Sequence, residues 1–173
     1  GSEMCIRDRV LYEESMFDGQ KVSKSRIITS VDYSMVSMEA FEIYATNHDI
    51  HVMDFVLKLD AYSYYMMNLL DYLIGNTDRH WGNWGFLVDN RTNQPVRLFD
   101  LMDLNQTFLA YDTPDGANCM TTGNRKMSQR EAAVEAVKNI GLNQKDEIKD
   151  EWFKGREKER EMFWCRFGIL KEQ

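Results

Sequence analysis

The chain has 173 residues, 43% of them hydrophobic, which is enough for one domain with a buried core. Its formal net charge of −7 argues against wholesale electrostatic binding to nucleic acid or to an anionic membrane. No apolar run has transmembrane length, and no segment combines the basic start and apolar middle of a signal peptide. Cys5, Cys119 and Cys165 have neither metal nor disulfide spacing. We therefore expect a reducing, cytoplasmic location, without a direct nucleic-acid or membrane partner.

The first residues are set apart from the rest. Residues 1–8 resemble the translation of a transposase adapter that is used to prepare sequencing libraries. We interpret residues 1–9 as a leader outside the fold, in a metagenomic fragment whose reading frame continues upstream of Val10. The alternative is a native segment that follows a Gly-Ser cloning scar.

The N-terminal part of the chain has one predicted strand and one predicted helix. Lys21–Thr29 has β-branched residues with partial alternation, which is typical of a strand. Ser37 is predicted to cap a helix, and a turn is expected at residues 47–49. The residues expected on one face of this helix are Ala40, Phe41, Tyr44 and Ala45.

The strongest helical signal covers Val56–Ile74. Gly75 and Asn76 follow it and are predicted to form a left-handed cap. The apolar stripe of this helix is expected to comprise Tyr62, Tyr65, Met66, Leu69, Leu70 and Leu73.

A hairpin and two further helices are predicted after this cap. Residues 84–88 and 96–99 are predicted strands around a turn, and residues 111–125 are predicted to form a long loop. Ser128 and Glu131 match a capping box whose helix ends at Gly141. That helix is expected to place Ala133, Ala136, Val137 and Ile140 together. A last helix with a solvated charged middle at 156–161 is expected to carry Trp152, Phe153, Met162, Phe163, Phe167 and Leu170.

Three polar residues beside the hairpin suit phosphoryl transfer. Asp78 follows a helix cap, where a carboxylate can orient a substrate hydroxyl towards a γ-phosphate. Asn83 and Asp103 flank the hairpin, and amide and carboxylate oxygens are hard ligands suited to magnesium. Since a hairpin brings its ends together, both are expected to reach one ion. The simpler explanation is that all three are turn or loop residues, which the combination with Asn76 and His80 disfavours.

The run Asp71–Phe86 resembles the catalytic loop of HipA-type serine/threonine kinases, which belong to the kinase branch related to phosphoinositide kinases. That family has a Thr-Asp pair, a His two residues after the Asp and an Asn five residues after it, as here. Its second metal-binding Asp follows the next hairpin, which matches Asp103. The resemblance is specific from about Leu69 to Phe108 and implies an α+β, mostly helical, protein-kinase-like C-lobe that uses Mg²⁺ and ATP.

The resemblance also implies a role for each residue of the motif. Asp78 would be the catalytic base, and Asn83 and Asp103 would bind magnesium. His80 would either support the loop or act in catalysis, and Arg79 would either meet the nucleotide phosphate or pair with a nearby acid, which we favour. Asp100 is the alternative to Asp103 as the metal ligand. The two remaining aromatic residues of the motif, Trp81 and Trp84, are expected in the core.

The chain departs from the family pattern on the nucleotide side. It contains no glycine-rich phosphate loop, and neither Lys21 nor Lys24 is placed to serve as the phosphate-binding lysine. We therefore expect residues 10–34 to be a remnant of the N-lobe and hinge, and residues 35–173 to be the C-lobe. Without the rest of the N-lobe, this fragment is expected to be inactive.

Two other functions stay open on this sequence. A kinase of the same fold could act on a lipid headgroup or a small molecule, since the Asp-Arg-His-x-x-Asn pattern is shared with phosphoinositide kinases. The chain could also be a non-catalytic binding or regulatory module with kinase architecture. An antitoxin-like protein partner besides the protein substrate is implied only by the family.

Overall fold

The computed structural model describes residues 12–142 and 147–173. In these ranges the chain is of the α+β class, as predicted, and no helix is long and apolar enough to cross a membrane. The strands are β1 (Tyr12–Phe17), β2 (Gln20–Ser25), β3 (Tyr33–Ser37), β4 (Gly85–Asp89) and β5 (Gln94–Leu98). The helices are α1 (Met38–Asn47), α2 (Val52–Ile74), α3 (Gln129–Ile140) and α4 (Glu157–Lys171), with a 3₁₀ helix at Asp150–Phe153.

The chain divides into two compact units, each of which is built from two stretches of sequence. The first unit comprises Gly1–Ile50 and Trp81–Met102, and the second comprises His51–His80 and Asp103–Gln173. The assignment of residues 10–34 and 35–173 to two kinase lobes stays a prediction. The predicted leader at residues 1–9 lies outside the described residues.

The first unit contains a three-stranded antiparallel sheet in the order β3-β4-β5 and a separate β1-β2 hairpin. In the register of β3 and β4, Tyr33 pairs with Asp89 and Ser37 with Gly85. A Cβ atom on Gly85 would lie 2.1 Å from the carbonyl oxygen of Val36, so the close approach of these strands requires glycine at this position.

The predicted hairpin is confirmed, with shifts of one or two residues at its strand ends. β4 and β5 pair antiparallel across the turn, and Pro95 lies within β5, where an edge strand tolerates the missing N–H. The strand predicted over Lys21–Thr29 is shorter, because β2 ends at Ser25.

Ser37 caps α1 as predicted, since its hydroxyl accepts a hydrogen bond from the Ala40 N–H at 3.2 Å. The predicted face is wrong at two positions, because Ala40 and Tyr44 are exposed. The Tyr44 ring stacks instead on His48, at 4.0 Å between ring centroids. The residues that α1 buries are Met38, Phe41 and Ala45.

In the second unit, α2 begins four residues before the predicted start and is interrupted at Asp60. The Asp60 backbone is non-helical (φ −156°, ψ 65°), and its carboxylate accepts from the Ser63 N–H at 3.2 Å, so it caps the second part of the helix. The predicted stripe is wrong at Tyr62, which is 40% exposed. α2 packs against α3 and α4, and Tyr65 and Leu69 are among the residues that it buries.

α3 has the predicted capping box. The Ser128 hydroxyl accepts from the Glu131 N–H at 3.2 Å, and the Glu131 carboxylate accepts from the Ser128 N–H at 2.8 Å. The helix ends before Gly141, as predicted. Its apolar face is shifted from the prediction, because Val137 and Ile140 are only half-buried. The alanines buried on α3 are Ala132, Ala133 and Ala136.

The prediction of a single last helix is wrong, because the structure has two separate helical segments there. Trp152 and Phe153 lie in the 3₁₀ helix, which is separated from α4 by Gly155 in the left-handed region (φ +74°). A left-handed residue cannot continue an α-helix, so the two segments are distinct. The charged stretch 156–161 is mainly exposed, and residues 111–125 contain neither helix nor strand, both as predicted.

Candidate functional site

The loop that carries Asp78 starts from a well-defined helix end. Gly75 adopts the predicted left-handed conformation (φ 63°, ψ 39°), and the Asn76 N–H donates to the Asp71 carbonyl at 2.9 Å. A Cβ atom on Gly75 would lie 2.2 Å from Cδ2 of Tyr111. The turn therefore needs glycine both for its backbone conformation and for the space that the Tyr111 ring occupies.

A buried ion pair lies beneath this loop. The Arg79 guanidinium donates from Nε to Oδ2 of Asp71 at 2.8 Å and from Nη2 to Oδ1 at 3.1 Å. Both side chains are almost fully buried, with exposed fractions of 3% and 5%. Two parallel charge-assisted bonds fix orientation as well as distance. The structure thus shows the ion pair that we favoured for Arg79.

Asn76 connects this ion pair to the backbone at Asp78. Its side-chain amide donates to Oδ1 of Asp71 at 2.9 Å, and its side-chain oxygen accepts from the Asp78 N–H at 3.3 Å. Asn76 is fully buried, whereas Asp78 is half-buried. A loop carboxylate held by a buried network is positioned by rigid elements, as a catalytic group should be.

Gln129 is a functional candidate that sequence reasoning missed. Its side-chain nitrogen donates to the Asn76 carbonyl at 2.6 Å, and its side-chain oxygen accepts from the Ala117 N–H at 3.0 Å. It therefore ties the first residue of α3 to the loop. Its position directly after the capping-box residue Ser128 gave no indication of this contact, because the partner is 53 residues away in sequence.

The predicted site residues fall into both units. Asp78, His80 and Asp103 belong to the second unit, in which Asp78 and Asp103 are half-buried and His80 is exposed. Asp103 adopts a left-handed backbone (φ 54°), a conformation that Asp tolerates better than most residues. Asn83 belongs to the first unit and is 4% exposed. That Asn83 and Asp103 bind one ion therefore stays a prediction.

The residues around Asn83 are bonded to the start of α1. The carbonyl of Trp84 accepts from the Met38 N–H at 2.9 Å, and the carbonyl of Trp81 accepts from the Glu39 N–H at 3.0 Å. These bonds use N–H groups that have no partner within the helix. Both tryptophans were predicted to lie in the core. Trp84 is buried, as predicted, whereas Trp81 is only half-buried.

Two further observations bear on metal binding. Asp100, the alternative metal ligand, accepts from Arg97 Nη1 at 2.6 Å. Within residues 12–142 and 147–173, no three His, Cys, Asp or Glu side chains are grouped so that they could hold a metal ion. The predicted magnesium site is of another kind, because it needs one amide and one carboxylate besides phosphate and water.

Arg166 is the second residue that sequence reasoning missed. The guanidinium of this fully buried residue on α4 lies over two aromatic rings, 5.0 Å from the Tyr72 centroid and 4.3 Å from the Tyr111 centroid. Nη1 donates to the Tyr72 carbonyl, and Nη2 donates to the Thr113 carbonyl at 2.7 Å. A signal existed in the sequence, since Arg166 lies at helical spacing from Phe163 and Leu170 on the apolar stripe of α4.

Burial beside Arg166 changes the acidity of nearby tyrosines. Burial raises the pKa of Tyr72 to about 12, although the neighbouring Arg166 opposes the shift. Burial raises the pKa of Tyr111 as well, and it lowers the pKa of Arg166. The Tyr72 hydroxyl donates to the Pro114 carbonyl at 2.7 Å, and this hydrogen bond requires the neutral, protonated form of Tyr72.

The stability of the protein is expected to fall between about pH 10 and pH 12. The unfolded chain loses the Tyr72 proton near the ordinary value of 10.0, whereas the folded chain keeps it until about 12. The unfolded state therefore binds fewer protons in this window, and the free energy of unfolding decreases as pH rises. Urea unfolding of Tyr72→Phe should show a shallower decrease than the wild type. Equal slopes for the two proteins would contradict this prediction.

Gly75→Ala is expected to lower the free energy of unfolding by about 2–4 kcal/mol, from the left-handed backbone and from overpacking against Tyr111. Gly155→Ala is the matched control, because Gly155 is also left-handed (φ +74°) but has nothing within 4 Å of an added Cβ. The control should lose only about 1–2 kcal/mol. Urea titrations of both variants measure the difference in the free energy of unfolding. Equal decreases in the two variants would contradict the prediction, because they would show that the Tyr111 ring moves aside without measurable destabilisation.

We compared the chain with protein-family models, with curated proteins and with solved structures, and no comparison gave a match.

Proposed function

We propose that this chain is the C-lobe of a HipA-type kinase, which transfers a phosphoryl group from MgATP to a serine or threonine hydroxyl of a protein. The observation that supports it best is the buried network of Asp71, Asn76 and Arg79 around Asp78. The network spans the motif on which the resemblance depends. It holds the Asp78 backbone while the side chain stays half-buried, as a base that must meet a substrate requires.

Each residue of the motif would have a separate role in the reaction. Asp78 accepts the hydrogen bond of the acceptor hydroxyl and orients its oxygen towards the γ-phosphate. Asp103 and Asn83 would supply hard oxygen ligands for magnesium, and the ion would neutralise charge on the nucleotide phosphates. Arg79 positions the loop through Asp71. His80, an exposed residue, would support the loop or meet a substrate or a phosphate.

We expect phosphoryl transfer from a complete kinase that also has a nucleotide-binding lobe. The 173 residues contain no glycine-rich phosphate loop. Catalysis of phosphoryl transfer consists mainly of positioning and charge stabilisation, so the C-lobe alone lacks much of what the reaction requires.

The proposal is tested by the products that the complete kinase makes from γ-labelled ATP. We expect label on serine or threonine of the protein itself or of an added protein acceptor, and loss of labelling when magnesium is chelated. Label on a lipid headgroup or a small molecule would keep the fold and reject the protein substrate. If the complete protein neither transfers phosphate nor binds MgATP, the chain is a non-catalytic module and the proposal is wrong.

A further inference from the structure

The C-terminal end of α2 is completed by hydrogen bonds from distant parts of the second unit. The last four carbonyls of an α-helix have no donor within the helix. Here the loop itself serves the first two of them, through the Asn76 N–H to the Asp71 carbonyl at 2.9 Å and the Gly75 N–H to the Tyr72 carbonyl at 3.3 Å. The Tyr72 carbonyl also accepts from Arg166 Nη1, and the carbonyls of Leu73 and Ile74 accept from the Tyr111 hydroxyl and the Phe108 N–H.

Two of these donors, the Phe108 N–H and the Tyr111 hydroxyl, belong to the segment 103–111, which begins at the predicted metal ligand Asp103. The Phe108 N–H reaches the Ile74 carbonyl at 3.1 Å, and the Tyr111 hydroxyl bonds to the Leu73 carbonyl. Phe108 has a left-handed backbone (φ 62°), which is unfavourable for a bulky residue. Its surroundings offset this cost, since its ring packs edge-on against Tyr111, 5.1 Å between centroids.

Arg166 connects the same helix end to the chain just beyond this segment. Besides Tyr72, it binds the Thr113 carbonyl twice, from Nε at 3.2 Å and from Nη2 at 2.7 Å. Its guanidinium also covers the Tyr111 ring. A planar group with several fixed donors can hold two backbone segments and a ring at once, which a lysine ammonium cannot do in the same geometry.

We propose that Tyr111 and Arg166 are positioning residues that couple the loop carrying Asp78 to the segment that begins at Asp103, because both are fixed to the last turn of α2. The inference rests on the proposed function, in which Asp78 orients the hydroxyl and Asp103 binds magnesium. A small displacement of either group would slow transfer without abolishing nucleotide binding.

Two conservative variants test the coupling, and one variant serves as the control. Tyr111→Phe removes only the hydroxyl that bonds to the Leu73 carbonyl. Arg166→Lys keeps the charge but loses the planar arrangement of the three donors Nε, Nη1 and Nη2. The control is Arg160→Lys, also on α4, whose partner Asp150 is exposed. Amide hydrogen exchange should rise about fivefold to tenfold at both 76–80 and 103–111 in Tyr111→Phe, as expected for the loss of one hydrogen bond. Exchange in α3 should not change, and the control should resemble the wild type.

Kinetics of the complete kinase separate positioning from mere stability. Tyr111→Phe and Arg166→Lys should lower kcat about tenfold or more while the KM for ATP stays close to the wild-type value. Arg160→Lys should leave both constants unchanged. Faster exchange in only one of the two segments, uniform faster exchange across the second unit, or an unchanged kcat would each overturn the inference. If the wild type transfers no phosphate but hydrogen exchange in Tyr111→Phe rises in both segments, the proposed function is wrong and the coupling of the segments is still supported.

Discussion

Asp71→Asn is expected to lower the free energy of unfolding by about 3–5 kcal/mol, although the substitution hardly changes the shape of the side chain. The reason is that Arg79, which is only 3% exposed, would keep its charge and lose the carboxylate that compensates it. Asn76 would also lose a charged acceptor for its side-chain amide. Since whole domains are stable by only about 5–15 kcal/mol, such a loss should be evident in urea titrations followed by circular dichroism.

A double-variant cycle shows whether the ion pair is the cause. Asp71→Leu combined with Arg79→Met removes both charges of the pair, so neither is left buried without its partner. The double variant should therefore lose less stability than the sum of its single variants, by more than about 1 kcal/mol. Asp150→Asn breaks the exposed pair with Arg160 and serves as the control, with little expected effect on stability. Strict additivity of the Asp71 and Arg79 variants would show that the pair is not coupled as its geometry indicates.

The elements with local signals could be predicted from the sequence. The caps at Ser37 and Ser128, the left-handed Gly75 and the β4-β5 hairpin depend on residues within a few positions of each other, and all are confirmed. The break in α2 at Asp60 was not predicted, because its apolar pattern continues through the break. The separation of the 3₁₀ helix from α4 was missed for a similar reason, since aromatic residues occur on both sides of Gly155.

The candidate site shows the same division between local and distant contacts. The Arg79–Asp71 pair joins residues eight positions apart and was among the predicted alternatives for Arg79. The contacts of Gln129 and Arg166 join residues 53 and 94 positions apart. No local pattern specifies such partners, because which side chains meet depends on how α3 and α4 pack on α2. The sequence therefore indicates the groups that would act, and the structure adds the residues that hold them.

Asp78→Asn is expected to lower the rate of phosphoryl transfer by about 10²- to 10⁴-fold, the usual contribution of a general base. An asparagine side chain cannot accept the proton of the acceptor hydroxyl. The loop should keep its conformation, because Asn76 binds the backbone N–H of residue 78, which the variant retains. Stability in urea should therefore stay close to that of the wild type, which separates a chemical effect from a folding defect.

The most direct test is the single-turnover rate of γ-phosphate transfer by the complete kinase, measured for the wild type, Asp78→Asn and Asp54→Asn. Asp54 is an acid in the first turn of α2, and its side chain is 81% exposed, so its variant controls for the loss of one negative charge. We predict transfer by the wild type and by Asp54→Asn, and almost none by Asp78→Asn with an unchanged urea midpoint. Transfer by Asp78→Asn at the wild-type rate would contradict the assignment of Asp78 as the base.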